Sequence, residues 1–99
     1  MVDFFMQLMR EGGNALERKY IESVKPLDDH ILQVDFLSGS RLLLNMKPYL
    51  DSIRFRPLKS PLVWQSAATN GLFVRFENVE LSNDEIMVMA EQGNPIMQL

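Results

Sequence analysis

Ninety-nine residues with 46% hydrophobic and 23% charged side chains suit one domain with a modest core, and exclude a disordered or membrane-embedded chain. The absence of cysteine excludes disulfides, thiolate metal sites and thiol nucleophiles. A net charge of −3 and a pI near 5.0 argue against a general nucleic-acid binder, which needs an electropositive footprint.

The opening run, VDFFMQLMREGG, places Phe5, Met6 and Met9 on one helical face, with Phe4 and Leu8 widening the stripe. Asp3 suits the N-cap, and Gly12 with Gly13 ends the helix. There is no basic leader and no small-residue cleavage site here, and no apolar run reaches the roughly 18–20 residues of a membrane span, so the expected compartment is cytoplasmic. Isolated helices under about 12–15 residues are marginal in water. Residues 1–19 therefore read as a helical extension that docks on its own domain or on another chain, with NALERKY as its polar connection.

From Tyr20 the period becomes that of strands. YIESVKPL sets Ile21, Ser23 and Lys25 against Tyr20, Glu22 and Val24, and Pro26 marks an edge or a strand end. Asp28 and Asp29 make a turn. HILQVDF then opposes Leu32, Val34 and Phe36 to Ile31 and Gln33, the pattern of a half-buried strand. Ser38 and Gly39 turn a hairpin and RLLLNM returns, which predicts an antiparallel meander. NMKPYLDS follows as a corner. Pro48 holds Lys47 away from helix, Tyr49 and Leu50 pack behind it, and Asp51 bonds nearby amides, so that Arg54 and Arg56 are aimed outward.

IRFRPLK opposes Ile53 and Phe55 to Arg54 and Arg56 in a strand cut short by Pro57 and Pro61. SPLVWQSA suits a one-turn helix with Ser60 as N-cap, Pro61 at its first position and Trp64 in the core. SAATNGLFVRFENV reads as a hairpin turned at Asn70 and Gly71. In SNDE, Ser82 caps a last helix with Glu85 as its capping-box partner. Ile86, Met87, Met89 and Ala90 are its apolar positions, Gly93 ends it before Pro95, and residues 93–99 read as a frayed tail. These elements predict an α+β fold in one domain, 1–99: a small antiparallel sheet, built from a strand meander plus a hairpin, with short helices at the N-terminus, middle and C-terminus, and its core in residues 20–92. Methionines gather toward the termini, so the terminal helices are expected to pack on the core or between protomers.

Charge is unevenly spread. Residues 41–59 hold Arg41, Lys47, Arg54, Arg56 and Lys59 against Asp51, a balance of +4, whereas residues 77–99 hold five acids and no base, a balance of −5. The simpler reading is that the two regions face each other or occupy opposite solvated surfaces; the sharper one is a basic patch that receives an acidic partner.

Catalytic patterns are weak. In DDH, three adjacent residues on a turn cannot converge on one ion, and no second His or Cys completes a transition-metal site. Glu77 and Glu80 lack any pattern that would bury them as a hydrolytic pair. The serines fall at turns and caps with no G-x-S-x-G elbow, and REGGNA lacks the lysine and hydroxyl of a phosphate loop. SIRFRPLKSPLVW interleaves Arg54, Arg56 and Lys59 with Phe55 and Trp64, a mixture that single-strand nucleic-acid modules use. An amphipathic strand before a core tryptophan is the plainer account.

The order VKPLDDHILQVDFLSGSRLLLNMKPYLDS, then FRPLKSPLVWQSAATNGLFVRF, then VELSNDEI, resembles the small bacterial family known as domain of unknown function 2442, over about two-thirds of the chain, residues 20–90. The shared pattern is an opening V-x-P-L-x-D-x-x-L, a strand pair turned at x-G, a P-Y-L corner, an F-x-x-L, a short helix, a G-containing hairpin and an L-x-x-[DE]-x-[LIM] finish. The resemblance implies an α+β domain without an established activity, and an antitoxin or partner-binding role, because family members occur beside small toxin-like proteins. The chain departs from the pattern at Phe76, Glu77, Asn78 and Val79, where a Trp-Pro-Asn-Gly run is usual, and at Asn45, where Asp is usual.

The expectation is thus a non-enzymatic cytoplasmic interaction module without cofactor or metal, paired with a protein partner or with itself as a homodimer. Its candidate partner-binding residues are Phe4, Phe5, Met9, Arg54, Arg56 and Lys59. The alternative is a nucleic-acid accessory module using Arg54, Arg56 and Lys59.

Overall fold

The structure, a computed structural model, describes residues 20–92 and, for the backbone, 95–98. The expected N-terminal helix lies outside the described residues. The architecture is α+β, divided between two antiparallel sheets. In the first, β1 (Ile21–Pro26), β2 (Ile31–Phe36) and β3 (Arg41–Asn45) form the expected meander, in the order β1-β2-β3. The alternation in β2 and β3 buries Leu32, Val34, Phe36, Leu42 and Leu44 on one face, where Leu32 faces Leu44 and Val34 faces Leu42 across the strands. On the other face Asp35 lies opposite Arg41 and pairs with it at 2.7 Å.

In β1 strict alternation fails. The register slips between Ile21 and Ser23, so Ile21 faces Phe36 while Val24 faces Val34, and both turn toward the core. A β-bulge absorbs the extra residue, and a period-two reading from Tyr20 onward therefore puts Ile21 and Val24 on opposite faces. The connection from β1 to β2 is a tight turn through Asp28–His30, in which Asp29 and His30 adopt φ of 63° and 57°.

The corner begins as a 3-10 turn, Lys47–Tyr49, so Pro48 does not keep Lys47 out of helical geometry; it sits at the second position of a single turn, where its missing N–H leaves no bond unmade. Residues 53–59 form no strand. They run through turns into a second 3-10 segment, Arg56–Lys59, because Pro57 fixes helical φ and the local bonds Arg56 N to Ser52 O and Leu58 N to Phe55 O take the amides a ladder would need. Helix α1 (Pro61–Gln65) follows with Ser60 at its N-cap position, though the Ser60 side chain makes no cap bond.

The second sheet holds β4 (Ala68–Thr69), β5 (Phe73–Phe76) and β6 (Val79–Ser82) in that order. The Asn70 turn is longer than a two-residue hairpin, since Thr69 pairs with Val74. Asn70 Oδ1 accepts from the amides of Leu72 and Phe73, both at 3.0 Å, which is an Asx turn. β6 is an element the sequence reading lacks. The chain reverses at Glu77 and Asn78, with Glu77 at φ 54°, a conformation Glu rarely signals. β6 runs directly into α2 (Asn83–Glu91), whose N-terminus carries the expected capping box between Ser82 and Glu85. Beyond it, where the sequence suggests a tail, Pro95–Gln98 form β7, antiparallel to β3, extending the first sheet to β1-β2-β3-β7. An exposed amide edge on β3 is a template for such pairing, and no apolar alternation is required to occupy it.

Gly71 joins the two sheets and α2. Its carbonyl accepts from Ile21 N at 2.9 Å and Asn83 Nδ2 at 3.3 Å, and its φ of 102° suits glycine. A Cβ there would lie 2.2 Å from the Tyr20 ring. The buried faces of both sheets merge with Ile86, Met89 and Ala90 of α2 into one cluster. Trp64, 4% exposed, stacks on Phe76 at 5.2 Å with the rings 10° apart and donates Nε1–H to Leu27 O at 2.9 Å. It is a core aromatic. Replacing it with alanine removes the stacking, the hydrogen bond and the filled volume together, so urea unfolding of Trp64→Ala should show a loss of about 3–5 kcal/mol, and Trp64→Phe distinctly less.

Candidate functional site: an apolar groove beside the Arg54–Glu85 pair

The site is built by the corner that follows β3. Asn45 Oδ1 accepts from Lys47 N at 3.1 Å, Ser52 Oγ donates to Tyr49 O at 2.7 Å and accepts from Phe55 N at 3.3 Å. These short-range bonds wind residues 46–56 tightly enough to bury Leu50 and Phe55, bring the Tyr49 and Phe55 rings edge to face at 6.1 Å, and leave Ile53 85% exposed.

Arg54 leaves this coil toward α2. Its Nη1 and Nη2 donate to Glu85 Oε2 at 2.5 Å and Oε1 at 2.8 Å, Nη2 also donates to Glu80 O at 2.6 Å, and the guanidinium lies 4.8 Å from the centre of the Phe55 ring. Glu85 is simultaneously the capping-box acid: Oε1 accepts from Ser82 N at 3.0 Å while Ser82 Oγ accepts from Glu85 N at 3.1 Å. One carboxylate thus ties the helix start to the corner, and one guanidinium takes up a carbonyl of the edge strand β6. The hydrogen bonds from Arg54 hold the Glu85 carboxyl below its ordinary value, with burial opposing and the Ser82 amide assisting; the same bonds raise Arg54 above its own. Elsewhere burial pulls Asp35 upward, but hydrogen bonds from Arg41, Gln33 and Ser23 outweigh it and leave that carboxyl lowered.

Between the corner and the outer side of α2 lies an open groove of about 340 Å³. Tyr49 and Phe55 line one wall; Val88, Met89 and Gln92 line the other; Asp84 and the Arg54–Glu85 pair close one end. Val88 is 52% exposed on a helix whose Ile86, Met89 and Ala90 are buried. The lining is mostly apolar in area, and the Arg54–Glu85 pair within it is internally satisfied.

The basic residues singled out from the sequence each meet a partner within the chain. Arg54 is folded back onto Glu85 rather than aimed outward. Lys59 Nζ sits 3.0 Å from Asp51 Oδ1, and Arg56 Nη2 reaches Asp51 O at 3.4 Å. Asp51 therefore holds Lys59 through its carboxylate, not backbone amides. Phe4, Phe5 and Met9 lie outside the described residues. The two charge blocks do face each other at Arg54 and Glu85, as the simpler reading of the charge distribution expects. Tyr49, Val88, Met89 and Gln92 were not singled out; Val88, an apolar residue off the buried stripe of its helix, is the signal that identifies the groove.

His30 Nε2 lies 2.8 Å from Leu58 O and its ring rests 4.8 Å from Trp64. Among the described residues no three His, Asp or Glu side chains are grouped to hold a metal ion. The chain matches no family model, and neither a curated protein nor a solved structure matches it.

Glu85→Ala removes both a cap partner and an ion pair and should cost about 1–2 kcal/mol in urea unfolding, against about 1 for Ser82→Ala. Because the folded carboxyl is lowered, its contribution is fully present above the unfolded value of about 4.3 and is lost as pH falls through the folded one. Wild-type stability should therefore decline more steeply with acidification below about pH 4.3 than that of Glu85→Gln.

Proposed function

We propose that the protein is a non-enzymatic interaction module whose partner-binding surface is the groove between the corner and α2. The observation that carries this reading is a formed, mostly apolar concavity lined by Tyr49, Phe55, Val88 and Met89, in which Val88 is left 52% exposed. An exposed apolar cleft with a polar rim marks an interaction site. The groove's own ionic pair is spent on structure, His30 bonds Leu58 O, and Ser52 and Ser82 serve the corner and the helix cap. The resemblance to domain of unknown function 2442 supports the same reading and adds a finer one, a cytoplasmic antitoxin-like partner of a small toxin-like protein.

The homodimer is the other form of self- or partner-association this surface permits. Nucleic-acid binding through Arg54, Arg56 and Lys59 is the weaker reading, since a phosphate would have to displace Glu85 from Arg54 and Asp51 from Lys59. At low salt, where phosphate contacts are strongest, DNA and RNA should not bind; saturable binding lost in Arg56→Glu with Lys59→Glu would reverse the order of the two readings.

Val88→Asp places a charge in the groove at an exposed helical position, so folding should change by no more than about 0.5 kcal/mol. Affinity capture from the source cell, with light scattering on the purified chain, should give a stoichiometric partner or a dimer with the wild type and neither with Val88→Asp. Association that is identical in the two proteins, or absent from both, would contradict the proposed surface.

A further inference from the structure

Asn70–Gly71 is the one Asn-Gly dipeptide of the chain, and it carries a reaction as well as a turn. In such a pair the glycine nitrogen has no side chain beside it and can attack the asparagine side-chain amide. The Gly71 N–H gives its proton to hydroxide, and the nitrogen bonds to Asn70 Cγ. The Cγ–Nδ2 bond breaks, and ammonia leaves with a proton returned from water. Water then opens the resulting succinimide at either carbonyl, leaving aspartate or isoaspartate at position 70.

The folded turn holds the groups this reaction must move. Asn70 Oδ1 accepts from Leu72 N and Phe73 N, both at 3.0 Å, which fixes the side-chain amide. The attacking N–H of Gly71 is donated to Thr69 Oγ1 at 3.0 Å, and that hydroxyl is anchored on Phe73 O at 2.7 Å. The main chain is clamped as well. Tyr20 Oη donates to Asn70 O at 3.3 Å, and Gly71 O accepts from Ile21 N and Asn83 Nδ2. Gly71 is buried but Asn70 is exposed, so water reaches the site, and restraint rather than exclusion protects it. Each bond contributes only about 0.5–1.5 kcal/mol. With β4 just two residues long, local opening of this turn sets the degree of protection.

We propose that Asn70–Gly71 is a deamidation site that the folded turn keeps unreactive, and that reaction during an opening commits the chain irreversibly. An isoaspartyl link adds one main-chain carbon, about 1.5 Å, immediately before Gly71. The Gly71 carbonyl then cannot meet Ile21 N and Asn83 Nδ2 together, so the junction of the two sheets and α2 does not re-form. The aspartate product differs, because its carboxylate keeps both amide bonds of the turn. Through the isoaspartyl product, the site converts a transient opening into permanent loss of the fold.

The full chain is incubated at mildly alkaline pH, folded and in guanidinium chloride, and residue 70 is followed by peptide mass spectrometry and isoaspartate-specific methylation. The folded chain should deamidate there at least about tenfold more slowly than the unfolded one. Folded Thr69→Val, which takes away the partner of the Gly71 N–H, should react several-fold faster than wild type, and Thr69→Ser at the wild-type rate. If Thr69→Val does not fold by circular dichroism, the folded-to-unfolded ratio and Thr69→Ser decide the matter. Asn70→Asp should fold with nearly the wild-type melting midpoint. The isoaspartyl chain, separated and diluted out of guanidinium, should not regain the wild-type spectrum. Equal rates in the folded and unfolded chains, an unchanged rate in folded Thr69→Val, refolding of the isoaspartyl chain, or failure of Asn70→Asp to fold would each overturn the proposal.

Discussion

The contact on which the rest of the molecule depends is the one Arg54 makes with Glu85. Its energy is modest, because both side chains are partly exposed and such pairs typically contribute about 0.2–1 kcal/mol. Its importance is geometric. Glu85 already closes the capping box of α2, and Arg54 already belongs to the tightly wound corner after β3. Their fork therefore ties the two walls to each other. The extra bond from Arg54 to Glu80 O occupies a carbonyl on the edge of the second sheet, which an approaching strand would otherwise use.

That arrangement explains why the proposed surface is concave and why it is apolar. The corner must bury Leu50 and Phe55 to close over the first sheet, which turns Tyr49 and Phe55 sideways to form a wall. Helix α2 must bury Ile86, Met89 and Ala90, which leaves Val88 on the opposite arc of the helix. Satisfying both cores thus leaves a cleft between them, with the Arg54–Glu85 fork at its end. The other depressions are of a different kind. The outer face of β4–β6 offers Phe73 beside an Arg75–Glu80 pair at 2.6 Å, and the depression beside His30 is smaller, about 160 Å³.

Much of this architecture is legible in the sequence wherever a local rule acts alone. The alternation of Leu32, Val34 and Phe36, the return of Leu42 and Leu44, the chain reversal at Asn70 and Gly71 and the Ser82–Glu85 box each follow from pattern or capping, although the reversal is longer than the two-residue turn that Asn-Gly suggests. What is not legible has a common cause, a tertiary demand that overrides local period. The bulge in β1 reorients Ile21 and Val24 because both must meet β2. Glu77 takes a left-handed conformation because β5 and β6 pair Phe76 with Val79 around it. Pro95–Gln98 become a strand because β3 offers an edge. Arg54 looked like a ligand-binding cation because sequence shows a basic run, but not that Glu85, 31 residues later, lies within reach. The groove itself was invisible for the same reason: Val88 is conspicuous only once the buried face of α2 is known.

The central claim is that a protein partner sits against the outer side of α2. A photo-crosslinking amino acid introduced at position 88 in the source cell tests it directly, with position 75, on the exposed face of β5, as the comparison. The account predicts a discrete protein adduct from position 88 and none from position 75. Adducts from position 75 alone, or from neither, would contradict it.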